Sequence, residues 1–77
     1  MTLFKKKKHA PALYYTLDQN LRHARIKGEA SFYYSLEEDE VSKAMAWGIR
    51  NRVGIEPDHI TNGKTYYKFY GYSLDIE

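Results

Sequence analysis

The sequence predicts a small α+β domain of two layers, in the order β-α-β-α-β-hairpin, with two helices packed on one face of a three- to four-stranded sheet. Three observations predict it. Two eight-residue stretches run from strand-favouring aromatics into a helix-capping pattern, an acid-led amphipathic helix follows the second, and an Asn-Gly pair separates two further strand-like runs. At 77 residues the chain is close to the lower size at which one core supports itself, so a single domain over residues 11–77 is expected, with residues 1–10 as a flexible basic arm.

The two stretches are Leu13-Tyr14-Tyr15-Thr16-Leu17-Asp18-Gln19-Asn20 and Phe32-Tyr33-Tyr34-Ser35-Leu36-Glu37-Glu38-Asp39. Thr16 stands three residues before Gln19 and Ser35 three before Glu38, the spacing at which a hydroxyl and a carboxyl or amide cap a helix start reciprocally. Both stretches therefore read as a strand feeding a helix. The first helix is expected over Leu17 to Lys27, ending at Gly28, with Leu17, Leu21 and Ala24 as its buried stripe and Arg22 and Arg25 turned outward. A competing reading starts this helix at Pro11, because Leu13 extends the same stripe.

In the second helix Ser35 is the expected cap, and Glu37 to Glu40 lie where the helix dipole favours acids. Val41, Ala44, Met45, Gly48, Ile49 and Arg52 share one broad side, and Gly54 followed by Pro57 ends the element. Gly48 inside it costs about 1 kcal/mol relative to alanine, which implies a close packing contact. Trp47 lies roughly 100° from the stripe centre. It either folds across the core boundary or stands exposed as an interface anchor. A short strand, a turn at Asn62-Gly63 and a long strand from Thr65 to about Leu74 complete the order, with Lys68 and Gly71 tolerable on an edge or at a twist.

The formal charge of +2 hides a division. Lys5, Lys6, Lys7 and Lys8 form one run; without them eight basic residues face ten acidic ones, leaving the body net −2. Four adjacent lysines repel one another and read either as a solubilising terminus or as an arm that contacts phosphates. With no cysteine, the chain has neither a disulfide framework nor a Cys-based zinc site. No apolar run approaches the ~18 residues that span a bilayer, and Met1 to His9 are not followed by an apolar signal core, so a cytoplasmic protein without membrane contact is expected.

Strand side chains alternate, so each Tyr-Tyr pair places one ring on each face of its strand. Taking Leu13, Tyr15, Ala30, Phe32, Tyr34, Tyr67 and Phe69 as helix-covered leaves Tyr14, Thr16, Ser31, Tyr33, Ser35, Tyr66, Lys68, Tyr70 and Tyr72 on the other side. That second set is polar and aromatic throughout, in character a base-stacking platform; the plainer reading is that tyrosine suits half-exposed strands. Gly63-Lys64-Thr65-Tyr66-Tyr67-Lys68-Phe69-Tyr70 resembles RNA-recognition motifs only in size and strand aromatics: its glycine-aromatic spacing differs, and no residue roles transfer.

Chemistry is sparse. His9, His23 and His59 lack metal spacing, and His59 with Asp58 reads as a surface turn. Gly63-Lys64-Thr65 lacks the spaced glycine of a phosphate loop, and no acid, base and nucleophile are nominated together. No enzyme, cofactor or metal is expected. The favoured function is a binding protein associated with nucleic acid through Lys5 to Lys8 and a sheet face displaying Tyr14, Tyr33, Tyr66, Lys68 and Tyr70. A variant sets the Asn62-Gly63 hairpin as a wing against a duplex, without a recognition helix to accompany it. The alternative is a protein-binding adaptor or inhibitor, of the compact kind found in bacteria or their phages, acting through Trp47 and exposed tyrosines. Self-association through an edge of the final strand is a third expectation.

Overall fold

A computed structural model describes residues 10–74. It is a two-layer α+β domain: α1 (Ala10–Lys27), β1 (Ser31–Ser35), a single 3₁₀ turn (Glu38–Glu40), α2 (Val41–Asn51), β2 (Gly54–Thr61) and β3 (Lys64–Tyr70). The three strands form one antiparallel sheet in the order β1-β3-β2. Residues 1–9, which carry the lysine run and most of the expected arm, lie outside the described residues.

The first expected strand is instead helix, as the competing reading from Pro11 held. Two nearly matching stretches thus fold differently, and the residues downstream of each explain why. In the first, Leu13, Leu17 and Leu21 continue at four-residue steps and Ala24 extends them, giving a stripe that is buried along its whole length. In the second, Phe32 and Leu36 share that spacing, but the next position is Glu40 and the stripe breaks. Burial of a continuous leucine face outweighs the strand preference of Tyr14 and Tyr15, whose propensity difference is worth about 1 kcal/mol at most. Thr16, expected to cap, sits inside α1, where its carbonyl accepts from Asn20 Nδ2 at 3.0 Å.

Both helices end in the same way. Glu29 N–H donates to the Ala24 carbonyl at 2.8 Å and Gly28 N–H to that of Arg25 at 3.1 Å, with Gly28 at φ 74. Val53 N–H donates to Gly48 at 2.8 Å and Arg52 N–H to Ile49 at 3.3 Å, with Arg52 itself left-handed at φ 60. These paired bonds satisfy the last carbonyls of each helix. The left-handed position of α2 therefore falls on Arg52, two residues before Gly54, which opens β2. The start of α2 is shifted as well. Ser35 stays in β1 opposite Tyr66, and the cap falls on Glu37 at the head of the 3₁₀ turn that leads into α2: its N–H donates to the Glu40 carboxylate at 2.9 Å while Glu40 N–H returns a bond to the Glu37 carbonyl at 2.9 Å.

α2 is rotated relative to the expected stripe. Ala44, Trp47 and Gly48 are buried and Ile49 is 81% exposed. Trp47, at 3% exposed, is core, which removes the exposed-anchor reading. Rotating the helix to bury Ile49 would expose the indole, and an aromatic of that size buries more area than the isoleucine. Its Nε1–H donates to Asp18 Oδ1 of α1 at 2.8 Å, and its ring meets Phe69 edge-on at 6.2 Å. Gly48 makes this fit possible: a Cβ there would come within 2.7 Å of the Val53 carbonyl and 2.8 Å of Ile55 Cδ1.

The final strand occupies the middle of the sheet, so its edge is not free; the edges belong to β1 and β2. Phe69 is fully buried under both helices and stacks on Phe32, with centroids 4.7 Å apart. Phe32, Tyr34, Ile55 and Tyr67 pack around the same cluster. Tyr72, expected on the opposite face, is core too. Gly71, at φ 82, turns the chain beyond β3, and the Tyr72 hydroxyl donates to the Glu29 carbonyl at 2.7 Å, tying the last described residues to the end of α1. No helix among the described residues is long and apolar enough to cross a membrane.

Candidate functional site

Residues paired across antiparallel strands point to the same face, so the register defines what the uncovered face displays. Three rows cross it: Ser31–Tyr70–Gly54, Tyr33–Lys68–Glu56 and Ser35–Tyr66–His59. Both helices lie on the opposite face with Phe32, Phe69 and Ile55, and no helix among the described residues lies over these rows. Tyr33 is 47% exposed, and Tyr66, Lys68 and Tyr70 are half-buried by their neighbours on the central strand.

His59 reaches this face through an irregularity in β2. Glu56 pairs with Lys68 and Pro57 with Tyr67, after which the register slips and His59, rather than Asp58, meets Tyr66. Without the extra residue, alternation would turn His59 toward the helices. Pro57 suits this edge strand, since it lacks the N–H of a regular ladder position. Asp58 Oδ2 lies 2.7 Å from His59 Nδ1 and fixes the ring. The imidazole stacks on Tyr66, centroids 5.1 Å apart and planes 4° from parallel. Tyr33 leans across from β1 to bring its centroid within 5.9 Å of His59.

The other half of the face is built around Tyr70. Its ring lies where a Cβ on Gly54 would be, 2.7 Å from that position, so the absent side chain seats the aromatic ring against the backbone. The Tyr70 hydroxyl donates to Glu56 Oε1 at a long 3.4 Å, and Lys68 Nζ stands 5.9 Å from the Tyr70 centroid. The arrangement presents flat π surfaces in two patches with one lysine between them. With Glu56 and Asp58 alongside, this face offers rings for stacking rather than a strong field for phosphate.

Of the residues singled out from the sequence, Tyr33, Tyr66, Lys68 and Tyr70 come together here. Lys5, Lys6, Lys7 and Lys8 lie outside the described residues. Tyr14 does not belong to the face: it is on α1, half-buried against the core, because the stretch that carries it is helical. Tyr15, expected under the helices, is 66% exposed on the same helix. Trp47 is buried. His59, expected in a surface turn, is instead a strand residue in the aromatic cluster; the signal that locates it is Pro57 inside a strand-like run, which calls for a bulge.

A concavity of about 600 Å³ lies between α1 and the end of α2 and is lined by Asp18, Arg22, Arg25, Ile26 and Asn51 among others. Most of its polar groups already have internal partners. Asp18 accepts from Trp47, Asn51 Nδ2 donates to the Trp47 carbonyl at 2.9 Å, and Arg25 Nε donates to the Ser73 carbonyl at 2.9 Å. That hollow braces the two helices, which makes the sheet face the better candidate. No cluster of three or more metal-binding side chains occurs among the described residues. Compared with known proteins, the chain matches no family model, no curated protein and no solved structure.

Proposed function

We propose that this chain is a small, non-enzymatic, cytoplasmic protein that binds single-stranded nucleic acid, stacking unpaired bases on the uncovered sheet face and contacting phosphates with Lys5 to Lys8. The observation that carries this reading is the cluster of Tyr33, His59 and Tyr66 on a face that no helix among the described residues covers, with Tyr70 and Lys68 beside it. Stacking on each such ring is worth about 1–3 kcal/mol per base and is tolerant of sequence. The division of labour follows from charge. Glu56 and Asp58 leave the face itself poor at holding phosphate, while the lysine run supplies four positive charges elsewhere in the chain.

The adaptor reading loses its main anchor with the burial of Trp47 and keeps only the tyrosines, which serve protein and base equally well. The two separate on salt. For single strands, affinity falls with a slope of about 0.7 per neutralised phosphate on logarithmic axes. Four lysine contacts then predict roughly a 50-fold loss between about 50 and 200 mM salt. The test is fluorescence anisotropy of a labelled single-stranded 12-mer with the full chain and with residues 1–9 deleted. Steep salt dependence that flattens on deletion supports the proposal, and micromolar binding indifferent to both overturns the assigned role of the lysines. A pull-down from nuclease-treated lysate that still retains a protein partner would favour the adaptor.

A further inference from the structure

The two edges of the sheet are not equivalent. β2 carries the usual guards against unwanted pairing: Pro57 without an N–H, the register slip that follows it, and the charges of Glu56 and Asp58. β1 carries none of them. Ser31-Phe32-Tyr33-Tyr34-Ser35 has no charge, proline or glycine, keeps an unbroken register with β3, and among the described residues has no strand on its outer side.

The direction of its free backbone groups follows from one bond. Leu36 N–H donates to the Thr65 carbonyl at 3.2 Å, which continues the β1–β3 ladder by one residue. Hydrogen-bonded pairs alternate in an antiparallel ladder, so Phe32 and Tyr34 bond inward to β3 while Ser31, Tyr33 and Ser35 direct N–H and C=O outward. The segment is also nearly palindromic about Tyr33: serine at both ends and an aromatic on each side of the centre. An antiparallel copy centred on Tyr33 sets Ser31 against Ser35, Phe32 against Tyr34 and Tyr33 against itself. Every outward N–H of one strand then meets an outward C=O of the other, aromatics pair on the helix side, and no charge within the strand opposes its own copy. A two-fold applied to β2 would place an acidic, proline-bearing edge against itself.

We propose that β1 is a self-pairing edge, through which two copies of this chain associate by a two-fold axis at Tyr33 and join their sheets into one. The occupant is a second copy because the edge is complementary to itself. A five-residue ladder buries little for a protein interface, so the dimer is weak and concentration-dependent. Glu29 and Glu37, just beyond the strand, approach their opposite numbers in the second copy at the two ends of the ladder, so salt strengthens association where it weakens nucleic-acid binding. The pairing also sets the two uncovered faces side by side with Tyr33 at their junction, doubling the length of strand that could be held. That last consequence alone rests on the proposed function.

The absence of cysteine allows a register-specific test by disulfide crosslinking. Ser31→Cys and Ser35→Cys proteins are oxidised separately and as an equimolar mixture, with Ser42→Cys on exposed α2 as control. Directly opposed residues in a bonded pair lie about 5.5 Å apart between Cα atoms, inside the disulfide range of about 4.4–6.8 Å. The expected result is a mixed Ser31→Cys/Ser35→Cys dimer forming at least about ten-fold faster than any dimer of one variant alone. Sedimentation of the unmodified chain should show its mass rising toward twice the monomer value between about 10 μM and 1 mM, more so in added salt. A constant monomer mass, or equal crosslinking of the mixture and the single variants, overturns the proposal. Neither readout contains nucleic acid, so the two proposals fail separately.

Discussion

His59 lies flat on Tyr66, with ring centroids 5.1 Å apart and planes 4° from parallel. The contact exists because β2 contains one residue more than its partner requires: the slip between Pro57 and His59 moves the imidazole from the helix side to the open side, and Asp58 then holds it at 2.7 Å. An edge irregularity thus does two things. It turns an alternating strand into a contributor to the aromatic face, and it guards one margin of the sheet against pairing.

The bond between Trp47 and Asp18 accounts for much of how the helix layer is set. Asp18→Ala leaves the buried indole N–H without its acceptor and is expected to cost about 1–2 kcal/mol in urea unfolding, whereas Asp18→Asn, which keeps an acceptor, costs less than about half of that. Equal losses for the two would show that the bond contributes little. Trp47→Ala removes the side chain from the core at about 3–5 kcal/mol, a large part of a small domain's stability.

Gly48→Ala should destabilise, although alanine is the better helix former by about 1 kcal/mol. The added methyl would meet the Val53 carbonyl backbone at 2.7 Å, and forced overpacking costs about 1–3 kcal/mol. Thermal melting decides the sign, and a rise in Tm would mean that α2 and β2 separate more easily than the contact implies.

Arg52→Gly should stabilise. Arg52 holds φ 60 at the end of α2, a conformation that costs a side-chain-bearing residue about 1 kcal/mol and glycine little. The greater freedom of glycine in the unfolded chain offsets part of this. The expected net gain is about 0.5 kcal/mol, or a few degrees in Tm.

Tyr72 links pH to stability. Burial first, and then the Glu29 carboxylate, push its hydroxyl above the ordinary value of 10.0, with Arg25 opposing. A folded-state pKa above the unfolded one means that the fold holds the phenol proton more tightly. Its contribution is therefore complete below pH 10.0 and is lost as pH rises through the raised value. Tyr72→Phe should cost about 1 kcal/mol at neutral pH, through the lost bond to Glu29, and should make the alkaline decline shallower than in the parent chain. Parallel pH profiles for the two proteins would contradict this.

Much of the fold is legible in local patterns. The Asn62-Gly63 turn, with φ 53 and 75, joins β2 and β3 where the dipeptide indicates, and the cap at Gly28 and the tight contact at Gly48 follow from residue type. Elsewhere a local signal competes with a tertiary one. Tyr14-Tyr15 favours a strand until the leucine stripe from Leu13 to Ala24 finds a core to cover, and Ile49 fits the α2 stripe until Trp47 finds Asp18. Partners distant in sequence decide both outcomes. The open face is half legible: alternation places Tyr33, Tyr66, Lys68 and Tyr70 together, but Tyr72 leaves that face because the strand ends at Tyr70 and Gly71 turns the chain, and His59 joins it through a register slip.

Stacking of bases on the open sheet face is read out by titrating a labelled single-stranded 12-mer with the parent chain and with Tyr66→Ala at one fixed low salt concentration, with thermal melting of both. Tyr66→Ala removes one ring of the cluster, so the expected loss of affinity is about 5- to 150-fold at 1–3 kcal/mol per stacked base, with Tm changed by no more than a few degrees. Unchanged affinity in a folded Tyr66→Ala protein, or no measurable binding by the parent chain, would contradict it.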